Sequence, residues 1–381
     1  MATVAVIDPS FFSLPYDLHL CEGLASAGVG VTLYGRVPRA GERIPSGGFQ
    51  VEPWFYSWSE KHRLSRFIPK KVLTALKGLE HAIDSFRLAH RLEKTQAAVA
   101  HFQWMPLPMI DRYTVRSLQR RGIPVVFTVH DTVPFNAAPS SKGQNLGWRS
   151  NLELFDAIIV HTEQSKANLE AMRLRVPVFV IEHGLLTFGP AVEKKPADKL
   201  TFLFFGSIKP YKGLDILLHA FQKANGTRSA ELLIVGNAAE GRAGIDGLVK
   251  ELGIDDCVRF DCRFFDDTDV PAILSQADVV VFPYRRIDGS GALLTALAYG
   301  KPAIATNVGM FTELLADPFA LVAPNSVESL AEKLQETIAD PGTIARLQAI
   351  ASRAIKKIPS WDKIGAATAN VYATARSRRR S

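Results

Sequence analysis

Cysteine is scarce in this sequence: Cys21, Cys257 and Cys262 are the only three in 381 residues. They form no paired framework, and Cys257 and Cys262 have no second pair to complete a zinc site, so inert thiols in a reducing cytoplasm are expected. No apolar run approaches the roughly 18 residues of a spanning helix. The opening MATVAVIDPSFF has no basic segment ahead of an apolar stretch and does not read as a signal peptide. A soluble or peripheral cytoplasmic protein is therefore expected. No Asp-x-Asp stands at the end of a candidate strand, since Asp255-Asp256 and Asp266-Asp267 are adjacent pairs, and no metal is expected. Acidic residues are also missing from residues 61–77, where Lys61, Arg63, Arg66, Lys70, Lys71 and Lys77 stand. A second basic cluster is Arg376, Arg378, Arg379 and Arg380, in a chain of net charge +7. Such runs suit an anionic partner (lipid, phosphorylated substrate or nucleic acid), or are simply solvated surface. Nucleic acid is the weakest of these, because neither interleaved aromatics nor a recognised module accompanies the charge.

What is present is globular. Hydrophobic residues make up 47% and charged residues 22%, and the length suits two domains of roughly 150–190 residues. Short apolar runs at 3–7, 29–34, 97–101, 125–129, 157–160 and 178–181 alternate with helix-like stretches. After a Gly- and Pro-punctuated segment at 189–200 the pattern restarts at 201–205, 231–235, 258–260, 279–282, 303–306 and 320–322. Continuous apolar strands separated by helices predict parallel sheets covered on both faces. The expected fold is α/β, with two Rossmann-like doubly wound domains at 1–188 and 201–357. Residues 326–357 are expected to be one helical stretch, followed by a closing helix and basic tail within 358–381.

Two loops carry chemistry. In Phe204-Phe-Gly-Ser-Ile-Lys-Pro-Tyr-Lys-Gly-Leu-Asp215, a strand runs into Gly206 and Ser207, and Lys209 and Lys212 flank a turn that opens a helix at Gly213. Helix-start amides and two ammonium groups suit a diphosphate. An ordinary strand-to-helix turn is the plain alternative. In the second loop, a buried strand leads through a basic turn to Asp288-Gly-Ser-Gly291. Gly289 and Gly291 remove side chains where a phosphate would meet amides, and Ser290 can cap the helix while offering its hydroxyl.

These pieces resemble the donor-binding domain of retaining GT-B glycosyltransferases of family 4. The matching elements are Gly206 through Gly213, Leu232-Leu-Ile-Val-Gly236, Ala277-Asp-Val279, Leu294-Thr-Ala-Leu-Ala-Tyr-Gly-Lys-Pro-Ala-Ile-Ala305, and Glu313. The resemblance spans about residues 200–373 and is weaker in the first half. It implies two domains facing across a cleft, with Arg263, Gly236 and the two loops at the donor. The sequence departs where the family carries two glutamates separated by seven residues, having Ile287 and Thr295, and where it carries an arginine, having Ser207. Thr295 offers one hydrogen bond towards a ribose, Asp288 stands near the donor sugar, and Lys209 can supply the missing charge.

The first half is expected to hold the acceptor, through Ser10 after the first strand and His101, Gln103 and Trp104 after another. His130, at a third strand end, is the expected polar residue at the reaction centre, with Asp131 orienting it or the acceptor. His161 and His183 also end strand-like segments, though a core histidine is the commoner explanation for each. The resemblance implies transfer of a hexosyl unit from a nucleoside-diphosphate sugar with retention, no cofactor and no metal, and Lys212 stabilising the leaving diphosphate. It also implies a lipid-linked or polysaccharide acceptor in bacterial surface-glycan synthesis, with residues 61–77 and the arginine tail on the inner membrane face. A non-catalytic sugar-nucleotide-binding homologue, a GT-B epimerase and a phosphorylase are the alternatives. For the phosphorylase, no lysine stands out for pyridoxal phosphate.

Overall fold

The computed structural model describes residues 3–39, 41–42, 44, 47–61, 68–132, 148–195, 199–237, 242–261 and 265–380. Arg263, Cys262, Arg63 and Arg66 lie outside the described residues. The chain divides into two compact units, one of residues 1–184 with 359–381 and one of residues 185–358.

The first unit is built on seven strands: β1 (Thr3–Ile7), β2 (Gly30–Arg36), β3 (Gln50–Phe55), β4 (Val99–Phe102), β5 (Val125–Thr128), β6 (Ala157–Val160) and β7 (Val178–Val180). They pair in parallel in the order β3-β2-β1-β4-β5-β6-β7. The second unit repeats the plan with β8 (Leu200–Phe205), β9 (Ala230–Val235), β10 (Val258–Asp261), β11 (Val279–Phe282), β12 (Ala303–Thr306) and β13 (Leu321–Val322), ordered β10-β9-β8-β11-β12-β13. Strands β4, β5, β6, β11 and β12 are buried along their whole length. That burial is why their sequences are unbroken apolar runs. The strand order reverses between β1 and β4 and between β8 and β11. In open α/β sheets, ligands bind beyond the carboxyl ends of such strands.

Three features depart from the sequence reading. Strand β3 was not expected: it is an edge strand with polar and proline positions, and only Phe55 is fully buried. The single helix expected over 326–357 is two, Val327–Ala339 and Pro341–Lys357. Pro341 lacks the N–H that would continue the first helix, while Asp340 caps the second by accepting from Gly342 N at 2.8 Å. The basic run at 61–77 leads into a long helix, Lys70–Lys94.

The closing helix Trp361–Arg380 belongs to the first unit. It packs on the helix Leu14–Ser26 backbone to backbone. A Cβ on Gly23 would come within 2.1 Å of the Trp361 carbonyl, and one on Gly365 within 2.1 Å of Gly23. Glycine at both positions is what allows this approach.

Candidate functional site

In the second unit, the loop after β8 is shaped by three glycines pressed against backbone. Gly206 has φ +116°, and a Cβ on Gly236 would meet its carbonyl oxygen at 1.9 Å. Gly213 (φ +67°) lies against the Pro283 carbonyl, where a Cβ would sit at 2.1 Å. Arg285, just beyond β11, fastens the two loops together. Its N–H donates to Tyr211 O at 2.7 Å, and its guanidinium reaches Pro210 O and the Asp215 carboxylate.

This frame fixes Lys212. Its ammonium lies 2.9 Å from the point where a Gly206 Cβ would be, and over the Tyr284 ring at 5.2 Å from the centroid. The residue is buried, and burial, with the Lys209 charge nearby, pushes its amine down to about 8. Among the described residues no carboxylate pairs with it. A buried cation facing a glycine-lined loop with no counter-ion is an arrangement that can hold an anion.

The second loop completes the cradle. The helix Gly291–Ala298 is capped by Ser290, whose hydroxyl oxygen accepts from Leu293 N at 3.3 Å. Gly309, missed in the sequence reading, holds the loop from behind. A Cβ there would meet Ile287 O at 1.8 Å, and Met310 N donates to Asp288 O. Ile287 is buried, whereas Asp288 and Gly289 are partly exposed. Thr295 is buried and donates its hydroxyl to Gly291 O at 2.8 Å, so its proton is engaged within its own helix. Ser207 is exposed and Lys209 partly so. Glu313 lies on the short helix Met310–Leu315 that begins at Gly309.

In the first unit, β1, β4, β5 and β6 bring the other expected residues to one end of the sheet. Trp104 stacks on His130 with centroids 5.2 Å apart and planes 10° from parallel, and its Nε1–H donates to Ser13 Oγ at 2.9 Å. Ser13 in turn meets two buried carboxyls, Asp8 and Asp17. Burial raises both, Asp17 the more strongly, with the neighbouring Asp8 adding to the effect. Tyr16 sits among His130, His161, His183 and Trp361, all within 5.4 Å between centroids. Ser10 lies on the loop after β1 and is partly exposed.

The histidines form a chain. His161 Nδ1 is 2.9 Å from Ile181 O, and its Nε2 is 3.2 Å from His130 Nδ1. His130 Nε2 lies 3.0 Å from Gln103 Oε1, and His101 bridges Thr128 Oγ1 and the Tyr372 hydroxyl at 2.7 Å each. A carbonyl only accepts, so His161 carries its proton on Nδ1 and His130 donates from its own Nδ1. Burial pushes His101 and His183 down to about 3 and His161 to about 4, and lowers His130 well below the ordinary value. With neutral rings, a half-turn of the Gln103 amide satisfies every partner. Gln103 and His161 therefore orient His130; Asp131, beside it, is partly exposed. His101 and Gln103, expected to face an acceptor, are fully buried and support the chain from beneath, while Trp104 and His130 are partly exposed.

Sequence reading missed Tyr16, Ser13, Asp17, Trp361 and Tyr372. Asp17 carried a signal, as a carboxylate on the buried face of a helix. Tyr372 carried none, because 271 residues separate it from His101.

Two family models match the chain, "Glycosyltransferase Family 4" over residues 17–187 and "Glycosyl transferases group 1" over residues 188–357. The chain is 30% identical over 287 residues to a D-inositol 3-phosphate glycosyltransferase of Streptomyces bingchenggensis, covering 68% of this chain and 63% of that protein. It is 30% identical over 172 residues to an MMP alpha-(1->4)-mannosyltransferase of Mycolicibacterium hassiacum, covering 44% and 41%. The chain thus spans less than two thirds of the length of each of these two relatives. Among solved structures, a sucrose-phosphate synthase of Thermosynechococcus elongatus superposes with a TM-score of 0.77 at 20% identity, covering 99% of this chain and 100% of that one. Anabaena HepE, in complex with UDP and glucose, superposes at 0.73 and 15% identity, covering 98% and 100%.

Proposed function

We propose that this chain, which belongs to the family 4-like, group 1 glycosyltransferases with the GT-B fold, moves a hexosyl unit from a nucleoside-diphosphate sugar to an acceptor hydroxyl. The observation that carries the reading is Lys212, a buried ammonium without a counter-ion above a glycine loop. The bond from the anomeric carbon to the diphosphate breaks with its electron pair leaving on the phosphate. Charge therefore builds there, where a preorganised cation counts most. Lys209 and the amides at the start of the helix Gly291–Ala298 add to it, and this charge balance needs no metal. In the proposed retaining course, the acceptor oxygen attacks from the face the diphosphate leaves, and its proton passes to the departing phosphate oxygen. His130, held by Gln103 and His161 and backed by Trp104, is the polar group the first unit offers to the acceptor.

The acceptor is proposed to be lipid-linked or a growing surface glycan. Val72, Leu79, Ile83 and Phe86 are exposed on the helix Lys70–Lys94. Helical spacing places them on one stripe, with Lys71 and Arg87 exposed on the same helix. Apolar side chains beside bases suit the surface of an anionic bilayer. Arg376, Arg378 and Arg379 are exposed on the closing helix of the same unit. No described helix is long and apolar enough to cross a membrane.

Incubation with a panel of nucleoside-diphosphate sugars tests the reading. Slow release of nucleoside diphosphate from one of them, accelerated by acceptor, is expected. Binding without any release would favour the non-catalytic homologue suggested by Ile287 and Thr295.

A further inference from the structure

Tyr284 follows β11, one residue before the Arg285 that fastens the two loops of the second unit together. Thr306 Oγ1 donates to its carbonyl oxygen at 2.6 Å. Its ring packs against those of Phe282, Phe311 and Tyr211, with centroids 5.9, 5.3 and 6.0 Å away. The residue is 1% exposed, so close packing leaves the ring no alternative position. The Lys212 ammonium rests over this ring.

Packing and the cation would be served equally well by a phenylalanine. The hydroxyl therefore needs a reason of its own. Among the described residues of the second unit, Tyr284 Oη is the one buried side-chain polar atom that makes no hydrogen bond. A buried donor left unpaired lowers stability. Burial, with Tyr211 nearby, raises the phenol above its ordinary value, so it keeps its proton and stays a donor.

The polar side chain beside this hydroxyl is Ser290, the cap of the helix Gly291–Ala298. The two do not meet in hydrogen-bonding geometry in this structure. Ser290 is also buried, and its Oγ accepts only a long bond of 3.3 Å from Leu293 N. A hydroxyl oxygen accepts twice and donates once. One lone pair and one proton of Ser290 thus remain, at the start of a helix whose amides face the loop. The ring spans the site, with Lys212 on its face and Ser290 at its hydroxyl.

We propose that Tyr284 is a positioning residue for the donor diphosphate: as the anion binds, its hydroxyl donates to Ser290 Oγ and turns the serine proton onto a phosphate oxygen. With Leu293 N–H and the phenol filling both lone pairs of Oγ, that proton has the anion as its acceptor. The phenol is closed off and does not touch the phosphate itself. Its unpaired state weakens the free protein and is relieved in the complex, which favours binding. The assignment rests on the transferase reading, since it needs a nucleoside diphosphate in the second unit.

Titration calorimetry on the full chain tests it, with UDP, GDP and ADP as probes and with Tyr284→Phe, Ser290→Ala and the paired variant. Tyr284→Phe is expected to weaken the bound diphosphate by about tenfold and yet raise the melting temperature of the free chain. A merely structural phenol would lower that temperature and leave affinity alone. Ser290→Ala is expected to weaken binding by a similar factor and to melt earlier through the lost cap. The paired variant should bind no more weakly than Ser290→Ala, because the phenol acts only through the serine. Should Ser290→Ala fail to fold, Ser290→Gly keeps most of the cap and replaces it in the cycle. Unchanged affinity in Tyr284→Phe overturns the assignment, as does a lowered melting temperature. Effects that multiply in the paired variant also overturn it, since the phenol would then act on the phosphate without the serine. If the unaltered chain binds a diphosphate and the cycle fails, only the role of Tyr284 falls. If it binds none of the three, the transferase reading falls with it.

Discussion

The two units solve opposite problems at the reversal points of their sheets. In the second, a buried ammonium at Lys212 stands over Gly206 with no counter-charge, in a loop whose glycines pack against backbone. In the first, imidazoles are answered one after another, from Tyr372 through His101, and from Gln103 through His130 and His161 to Ile181. An unanswered charge predicts what must arrive. A chain already answered predicts only a shape. The difference explains why the diphosphate end of the proposed reaction is easier to assign than the sugar end.

The largest test of that contrast is Lys212→Met. Turnover of the nucleoside-diphosphate sugar is expected to fall by about 10²–10³-fold, while the ligand-free protein melts at a higher temperature, because a buried unpaired charge is gone. A variant that loses activity and stability together would show that the ammonium has a partner within the fold. Next in size, Gly213→Ala should destabilise the second unit by about 3 kcal/mol in urea unfolding, because its Cβ meets the Pro283 carbonyl in a left-handed backbone.

His130→Ala is expected to lower kcat by about 10–100-fold and leave donor affinity nearly unchanged. A reversed split, in affinity rather than rate, would move the ring to the donor. A gentler probe is pH. The Lys212 amine sits near 8 in the fold against 10.5 unfolded. Below about pH 8 it is charged in both states and the fold carries the full penalty. Between about 8 and 10.5 the unfolded chain binds more protons, so stability rises with pH over that window. Nucleoside-diphosphate affinity should fall over the same range, and Lys212→Arg should flatten that fall in calorimetry. Smallest of all, Thr295→Val should change donor affinity by no more than about twofold, since its hydroxyl proton serves Gly291 O.

The sheets were readable because strands buried on both faces must be continuously apolar, as in Val279–Phe282 and Ala157–Val160. Strand β3 was not, since an edge strand with one buried residue looks like a loop. The glycine loops after β8 and β11 were legible for a local reason: strand, glycine, basic side chain and helix start lie within a dozen residues. The ring cluster was not, because Tyr16, His130, His183 and Trp361 come from four segments that only the strand order and the closing helix bring together. Thr295 and Ile287 were read where the resembling family carries its glutamates. The spacing that located them said nothing about where their side chains bond.

The closing helix also sets an order of events during synthesis. Gly365 fits against Gly23, and Tyr372 reaches His101, only after the whole second unit has been made. The first unit therefore leaves the ribosome with the groove beside the helix Leu14–Ser26 uncovered, and its last layer arrives more than 300 residues later. The second unit, made later, has all its layers first. A nascent chain stalled before residue 359 should hold a folded second unit beside a first unit that proteases still open.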